Sequence, residues 1–200
     1  MTSRRESILR ASATAIAERG VRGLRVSDIA QVAGVSPGLL YYHFKDRDGL
    51  LAAALTYIND EARAYRQAAG GPGASREQLI DYVLAEIQDT PAVLENSLAW
   101  NELRACAVYE EPLREPLART SEQWTRETAE AIRGAQAAGE VPDAVDADQV
   151  ATVITALTEG LSARWLSGEL SAERAREQLR ATVELLIPAK GRTRTRTARS

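Results

Sequence analysis

The 200-residue chain has one cysteine (Cys106), one histidine (His43) and one phenylalanine (Phe44), and lysine occurs only at Lys45 and Lys190. A single cysteine excludes a disulfide framework, and one cysteine with one histidine cannot build the usual four-ligand zinc site. No paired-carboxylate, serine–histidine or phosphate-loop constellation accompanies that histidine, so nothing points to an enzyme, a metal or a cofactor. The charged N-terminus lacks an apolar signal core, and no window approaches roughly 18 uninterrupted apolar residues. The reading is therefore a cytoplasmic protein with no membrane partner. Runs of alternating β-branched residues are also missing, which leaves an all-α fold.

Charge is present but unevenly placed. Residues 1–50 carry eight Lys/Arg against five Asp/Glu, and residues 190–200 carry five basic groups. The 139 residues between them hold 12 basic and 23 acidic groups, within a net charge of -3. Basic ends around an acidic middle suggest a DNA-binding head on a body that DNA would repel.

Helical periodicity and capping signals place about nine helices. The first covers about 3–19 and stops at Gly20. A fourth follows Asp46 to about Ala69, with Leu51, Ala54, Leu55, Ile58, Ala62 and Tyr65 as its apolar stripe, and Gly70-Gly71-Pro72-Gly73 breaks it. Ser75 with Gln78 makes a capping box for the fifth, and Thr90-Pro91 begins the sixth. Pro112 and Pro116 mark a bend before the seventh. Asp146 and Ser171 cap the eighth and ninth, and Pro188 closes the body. Residues 189–200 form a basic tail with almost nothing to bury, expected to be disordered. The division expected is a head over 1–50, a body over 51–188 and this tail.

Residues 25–44 carry the sharpest signal. Ser27 is expected to cap a short helix that ends at Gly34, and Ser36 caps the next, with Pro37 at its first position. Ile29, Ala30, Val32, Ala33, Val35, Leu40 and Phe44 would lock the helices together. Gly38, Leu39, Tyr41, Tyr42, His43 and Lys45 remain for DNA, with Arg25, Ser27 and Arg47 at helix ends where a phosphate could be held. The segment from Ile8 to Leu55, especially Val26-Ser27-Asp28-Ile29-Ala30, Ala33-Gly34-Val35-Ser36 and Leu40-Tyr41-Tyr42-His43-Phe44-Lys45, closely resembles the DNA-binding domain of TetR-family transcriptional repressors.

That resemblance implies three head helices, a connecting fourth, and a variable helical body that binds an inducer and dimerises. It places Ser36, Pro37, Gly38 and Leu39 toward bases, and Tyr41, Tyr42, His43 and Lys45 toward phosphates. Leu39 departs from relatives that carry a hydrogen-bonding residue there, which favours reading a thymine methyl or DNA shape. Arg5 or Arg4 could reach a groove from the first helix. In the body, Leu98-Ala99-Trp100 and the 160–166 stretch resemble the BetI-like subgroup, a likeness that does not carry the choline ligand with it.

Three tryptophans, Trp100, Trp124 and Trp165, stand on three body helices and could wall a pocket for a small-molecule inducer, with Asn101 and Arg104 as its polar groups. The alternative is that the tryptophans are core and Arg104 answers Glu102 or Glu111. Helices eight and nine are apolar enough to bury more than one face, and the resemblance implies that they form the homodimer, through Val153, Leu157, Leu161, Leu179, Val183 and Leu186, setting two heads about 34 to 36 Å apart on a pseudo-palindromic operator in double-stranded DNA. The competing functions are a small-molecule binder that has lost operator specificity and an activator rather than a repressor.

Overall fold

The computed structural model describes residues 3–70 and 75–190. Nine α-helices and no strand occur among them: α1 (Arg4–Arg19), α2 (Val26–Val32), α3 (Pro37–Phe44), α4 (Arg47–Ala69), α5 (Arg76–Leu84), α6 (Pro91–Ala107), α7 (Glu111–Ala137), α8 (Ala147–Leu166) and α9 (Ala172–Leu186). Local chemistry sets most ends. Ser3 and Glu6 form a reciprocal capping box on α1, and Ser75 and Gln78 form another on α5. Ser36, Asp46, Thr90, Asp146 and Ser171 each accept from a first-turn amide. Gly71-Pro72-Gly73 and the tail beyond Lys190 lie outside the described residues.

Two expected boundaries shift. Ser27 is not a cap: α2 begins at Val26 with Arg25 at the N-cap position, and the Ser27 hydroxyl donates to Asp28 Oδ1 instead. Pro116 does not precede α7 but lies in its second turn. The amide it lacks would have donated to the carbonyl four residues back, so a proline this near the start removes a single bond and leaves the helix continuous.

Three apolar clusters stack along the molecule. Ile8, Leu9, Ile29, Leu40, Phe44 and Leu50 bind α1, α2, α3 and the start of α4 into the head. Leu51, Ala54, Leu55 and Ile58 of α4 join Ile16 and Val21 to Ala99, Leu103 and Leu113 of α6 and α7. The third cluster fills the body with Leu79, Ile80, Ile132, Ile154, Leu161, Trp165, Leu179 and Val183. Leu50 and Leu51 are adjacent residues in different clusters because successive helical positions point about 100° apart. The fourth helix therefore serves both head and body.

Polar links reinforce that junction. Thr14 Oγ1 donates to Glu95 at 2.8 Å, the Val21 amide donates to Glu102 at 2.9 Å, and Arg47 reaches Glu110 at 3.2 Å. Every acceptor side chain belongs to α6 or the turn after it. Motion of α6 must consequently act on α1 and the base of α4.

Candidate DNA-reading face and body cavity

In the head, α3 buries Leu40 and Phe44 at a spacing of four and turns Tyr41 and Tyr42 outward, Tyr42 being 82% exposed. Ser36, Pro37, Gly38 and Lys45 are exposed on the same element, while Leu39 and His43 are half-buried. The Arg5 guanidinium lies 5.4 Å from the Phe44 ring centroid, which sets the end of α1 beside this face. Arg25 and Ser27 are also exposed.

Val32 departs from the expected apolar lock. It is 63% exposed at the end of α2, because Ile29 and Ala30 already fill the inward face of so short a helix. Arg47 is engaged with the head–body junction, donating to Glu110 and to the Val21 carbonyl, the latter at 3.2 Å.

Lys45 ends α3 with φ +67° and ψ -54°, and the Asp46 amide donates to the Phe44 carbonyl at 2.7 Å across it. This is a γ-turn of the strained hand, in a region that non-glycine residues rarely enter. Lys45 is exposed at this turn, as are Tyr41 and Tyr42 on the helix before it.

The body holds a partly open cavity of about 30 Å³, lined by Asn59, Tyr65 and Arg66 of α4, Glu86 after α5, Asn96, Ser97 and Trp100 of α6, Trp124 of α7, and Thr158, Glu159 and Ser162 of α8. That is space for one or two waters, so a larger guest must displace side chains. Tyr65 and Asn96 also line an outer groove of about 250 Å³ with Arg10, Tyr57 and Glu95. The Asn96 amide donates to the Tyr65 hydroxyl at 3.3 Å between the two spaces.

Arg66 dominates the cavity. Its side chain is 2% exposed, pairs through Nη1 with Glu86, and lies 3.6 Å through Nη2 from Glu127. Its guanidinium also sits 5.5 Å from the Trp124 ring centroid and 5.7 Å from that of Tyr82. Two carboxylates and two aromatic faces balance its loss of water. Burial, together with Glu86 beside it, pushes the Tyr65 hydroxyl well above its ordinary value, so it stays protonated.

Of the five body residues expected to form a ligand site, Trp100 and Trp124 do line the cavity. The others do not. Trp165 lies four residues from Leu161 on the core face of α8, donating to Asp89 at 3.2 Å, whereas Thr158, Glu159 and Ser162 carry the cavity face. Asn101 donates to the Ser97 carbonyl at 3.0 Å.

Arg104 sits outside the wall, 43% exposed, and grips Glu159 through both terminal nitrogens at 3.0 and 2.9 Å. Its partner is thus neither Glu102 nor Glu111. Asn59, Tyr65, Arg66, Glu86, Asn96 and Glu159 were not singled out from the sequence. The available signal was polarity inside an apolar stripe, since Asn59 and Arg66 interrupt Leu55, Ile58 and Ala62 at helical spacing.

Burial raises the Glu159 carboxyl above its ordinary value, with Arg104 and then a Trp100 hydrogen bond opposing the rise. Replacing Arg104 by methionine lifts it further. A carboxyl whose folded value lies above its unfolded value weakens folding as pH rises through the folded value. Arg104→Met is therefore expected to lose about 1 kcal/mol at neutral pH, a figure held down by the exposure of Arg104. The loss should shrink at mildly acidic pH in thermal melts, and an equal loss at both would contradict the assignment. Cys106 lies beside Glu102, and burial then Glu102 raise its thiol, which keeps it protonated and unreactive.

Comparison with known proteins agrees with this geometry. Residues 8–54 match the bacterial regulatory proteins of the tetR family, and residues 74–188 match the BetI-type transcriptional repressor C-terminal domain. The HTH-type transcriptional regulator BetI of Burkholderia mallei is 28% identical over 85% of this chain and 84% of its own. A crystal structure described as a TetR-family transcriptional regulator from Rhodococcus sp. superposes with TM-score 0.87 at 61% identity, covering 94% of this chain and all of the other. A transcriptional regulator from Saccharomonospora viridis, solved in complex with choline, gives TM-score 0.73 at 26% identity over 94% and 98% of the two chains. With an exposed α3 on a three-helix head and more than half its length in a BetI-type body, the chain belongs to the TetR family of DNA-binding transcriptional regulators.

Proposed function

We propose that this regulator is a dimeric repressor that binds a pseudo-palindromic operator and leaves it when a small molecule enters the body. The observation that carries this is the continuity of contacts from cavity to head: α4 and α6 line the cavity, α4 continues into the head core, and α6 holds α1 and the turn after it through Glu95 and Glu102. A guest that enlarges the cavity displaces α6. The head then turns with it, and two heads misaligned by a few ångströms no longer meet successive grooves. Repression takes place in the cytoplasm, where the DNA is.

Ser36, Pro37, Gly38 and Leu39 face bases in this reading, and Tyr41, Tyr42, His43 and Lys45 hold phosphates, with Arg5, Arg25 and Ser27 at the margins. Arg47 supports the head from behind. Leu39 is half-buried, so it offers an apolar edge to a thymine methyl rather than a hydrogen bond.

The dimer face we propose differs from the one expected from the sequence. Leu161, Leu179 and Val183 belong to the protomer's own core, at 5%, 0% and 0% exposure, and cannot meet a partner. Val153 at 45% and Leu185 at 80% remain outward, joined by exposed Ala156, Gly160 and Ala181 and partly buried Leu157 and Leu186. These residues form the proposed interface.

A gel-shift with the DNA upstream of its own gene tests the reading. Specific, salt-sensitive binding is expected, and Tyr42→Ala with Lys45→Gly should weaken it about ten-fold or more and lower the salt slope. Lys45→Gly alone should raise stability by about 1 kcal/mol, because glycine relieves the positive φ. A double variant that binds as tightly as the original would remove α3 from the DNA.

A further inference from the structure

The cavity contains unmet hydrogen-bonding groups, and all three are donors. Arg66 Nε and Nη2 and Asn59 Nδ2 are buried without a hydrogen-bond partner, in side chains only 2% and 3% exposed. Arg66 Nε and Nη2 form one edge of the guanidinium, a fork matched to two oxygens of a carboxylate. The acceptors around them are already used: Glu86 receives Arg66 Nη1 and the Tyr65 hydroxyl, Glu159 receives Arg104, and Glu127, 3.6 Å from Nη2 and beyond hydrogen-bond reach, receives Gln123 and pairs with Arg63. Buried donors left unpaired weaken folding, so a guest supplying acceptors gains by pairing them.

Charge narrows the choice. The charged walls are Arg66, Glu86 and Glu159, two carboxylates to one guanidinium. A simple anion would add a further negative charge beside Glu86 and Glu159. A simple cation would leave all three donors unmet, and the Trp124 and Tyr82 faces it would seek are already covered by Arg66. Of the remaining aromatic walls, Tyr65 is tied to Glu86 and Asn96 through its hydroxyl, and Trp100, next to Glu159, is the one placed for a positive group.

We propose that the body cavity takes a small zwitterion, its carboxylate on the Nε–Nη2 edge of Arg66 and Asn59 Nδ2, and its cationic end toward Trp100 and Glu159. The ligand class rests on the ligand-gated repressor reading above but is tested apart from it.

Thermal melts of the full chain use matched probes: glycine betaine and the neutral α-amino acids, choline and amino-acid amides as cations, and acetate as an anion. One zwitterion should raise the melting temperature by about 5 °C or more at one hundred times its Kd, and its matched cation should not. Arg66→Lys keeps the charge and removes the forked edge, and Asn59→Leu removes the third donor. Each should abolish the shift while operator binding is kept, and if Arg66→Lys does not fold, Asn59→Leu decides.

The proposal is overturned if cations shift the melt as much as zwitterions, if no zwitterion does, or if Asn59→Leu responds like the original. Operator binding separates the two readings. A protein that binds its operator but ignores zwitterions loses only the ligand class. One that binds zwitterions but never DNA loses only the repressor assignment.

Discussion

Arg66→Met is expected to destabilise the protein by about 3 to 5 kcal/mol, the usual result of removing one member of a buried ion pair. In a chain of this size that lowers the melting temperature by roughly 6 to 20 °C. The reason is what remains behind. Glu86 and Glu127 stay in place with side chains 13% and 17% exposed, and the cation that joined them is gone. Arg63, 3.2 Å from Glu127, can neutralise only that one. Methionine also gives up the guanidinium contacts with Trp124 and Tyr82, although its chain refills part of the volume. Thermal or urea denaturation measures the loss. A change below about 1 kcal/mol would mean that Arg66 reaches water and is not the buried charge described.

Gly160→Arg should yield folded monomers and lower operator affinity by about 10² to 10⁴-fold, the gain that linking two heads supplies. Gly160 lies in the middle of α8, where glycine is about 1 kcal/mol worse than alanine. A Cβ built there meets nothing within 4 Å, so nothing inside the protomer explains its absence. The dimer proposed above accounts for it, with a partner helix approaching closely at this position. Sedimentation and gel-shift titration together check the outcome, and Gly160→Ala sharpens it. Alanine should stabilise an isolated protomer but crowd a dimer packed across this face. A Gly160→Arg protein that remains dimeric would move the interface elsewhere.

The head was largely readable because its signals are local. Ser36, Pro37 and the Gly34 turn act within a few residues, and Leu40 and Phe44 mark the inward side by spacing alone. Even there Ser27 misled, since serine at a helix start need not be the residue whose backbone begins the helix. Its hydroxyl found Asp28 next door.

The body was readable as helices and not as a site. Periodicity identifies an apolar stripe but not which of several neighbouring helices covers it. Leu161, Leu179 and Val183 look the same as a dimer seam in sequence, yet they close the protomer's own core. Trp100, Trp124 and Trp165 were equivalent candidates, and the rotation of each helix separated them. Arg66 and Glu86 lie 20 residues apart across a helix break, so no spacing rule pairs them.

By itself the sequence determined an all-helical chain, the places where most helices start, and a TetR-type reading head, because capping, turn chemistry and amphipathic periodicity act over a few residues. Only the tertiary structure decided that Arg66 is buried among two carboxylates and two aromatic rings, that Arg104 grips Glu159 from outside, and that α6 ties the cavity to the head. Those relations depend on helices far apart in the chain meeting at a particular rotation, and long-range packing sets that rotation.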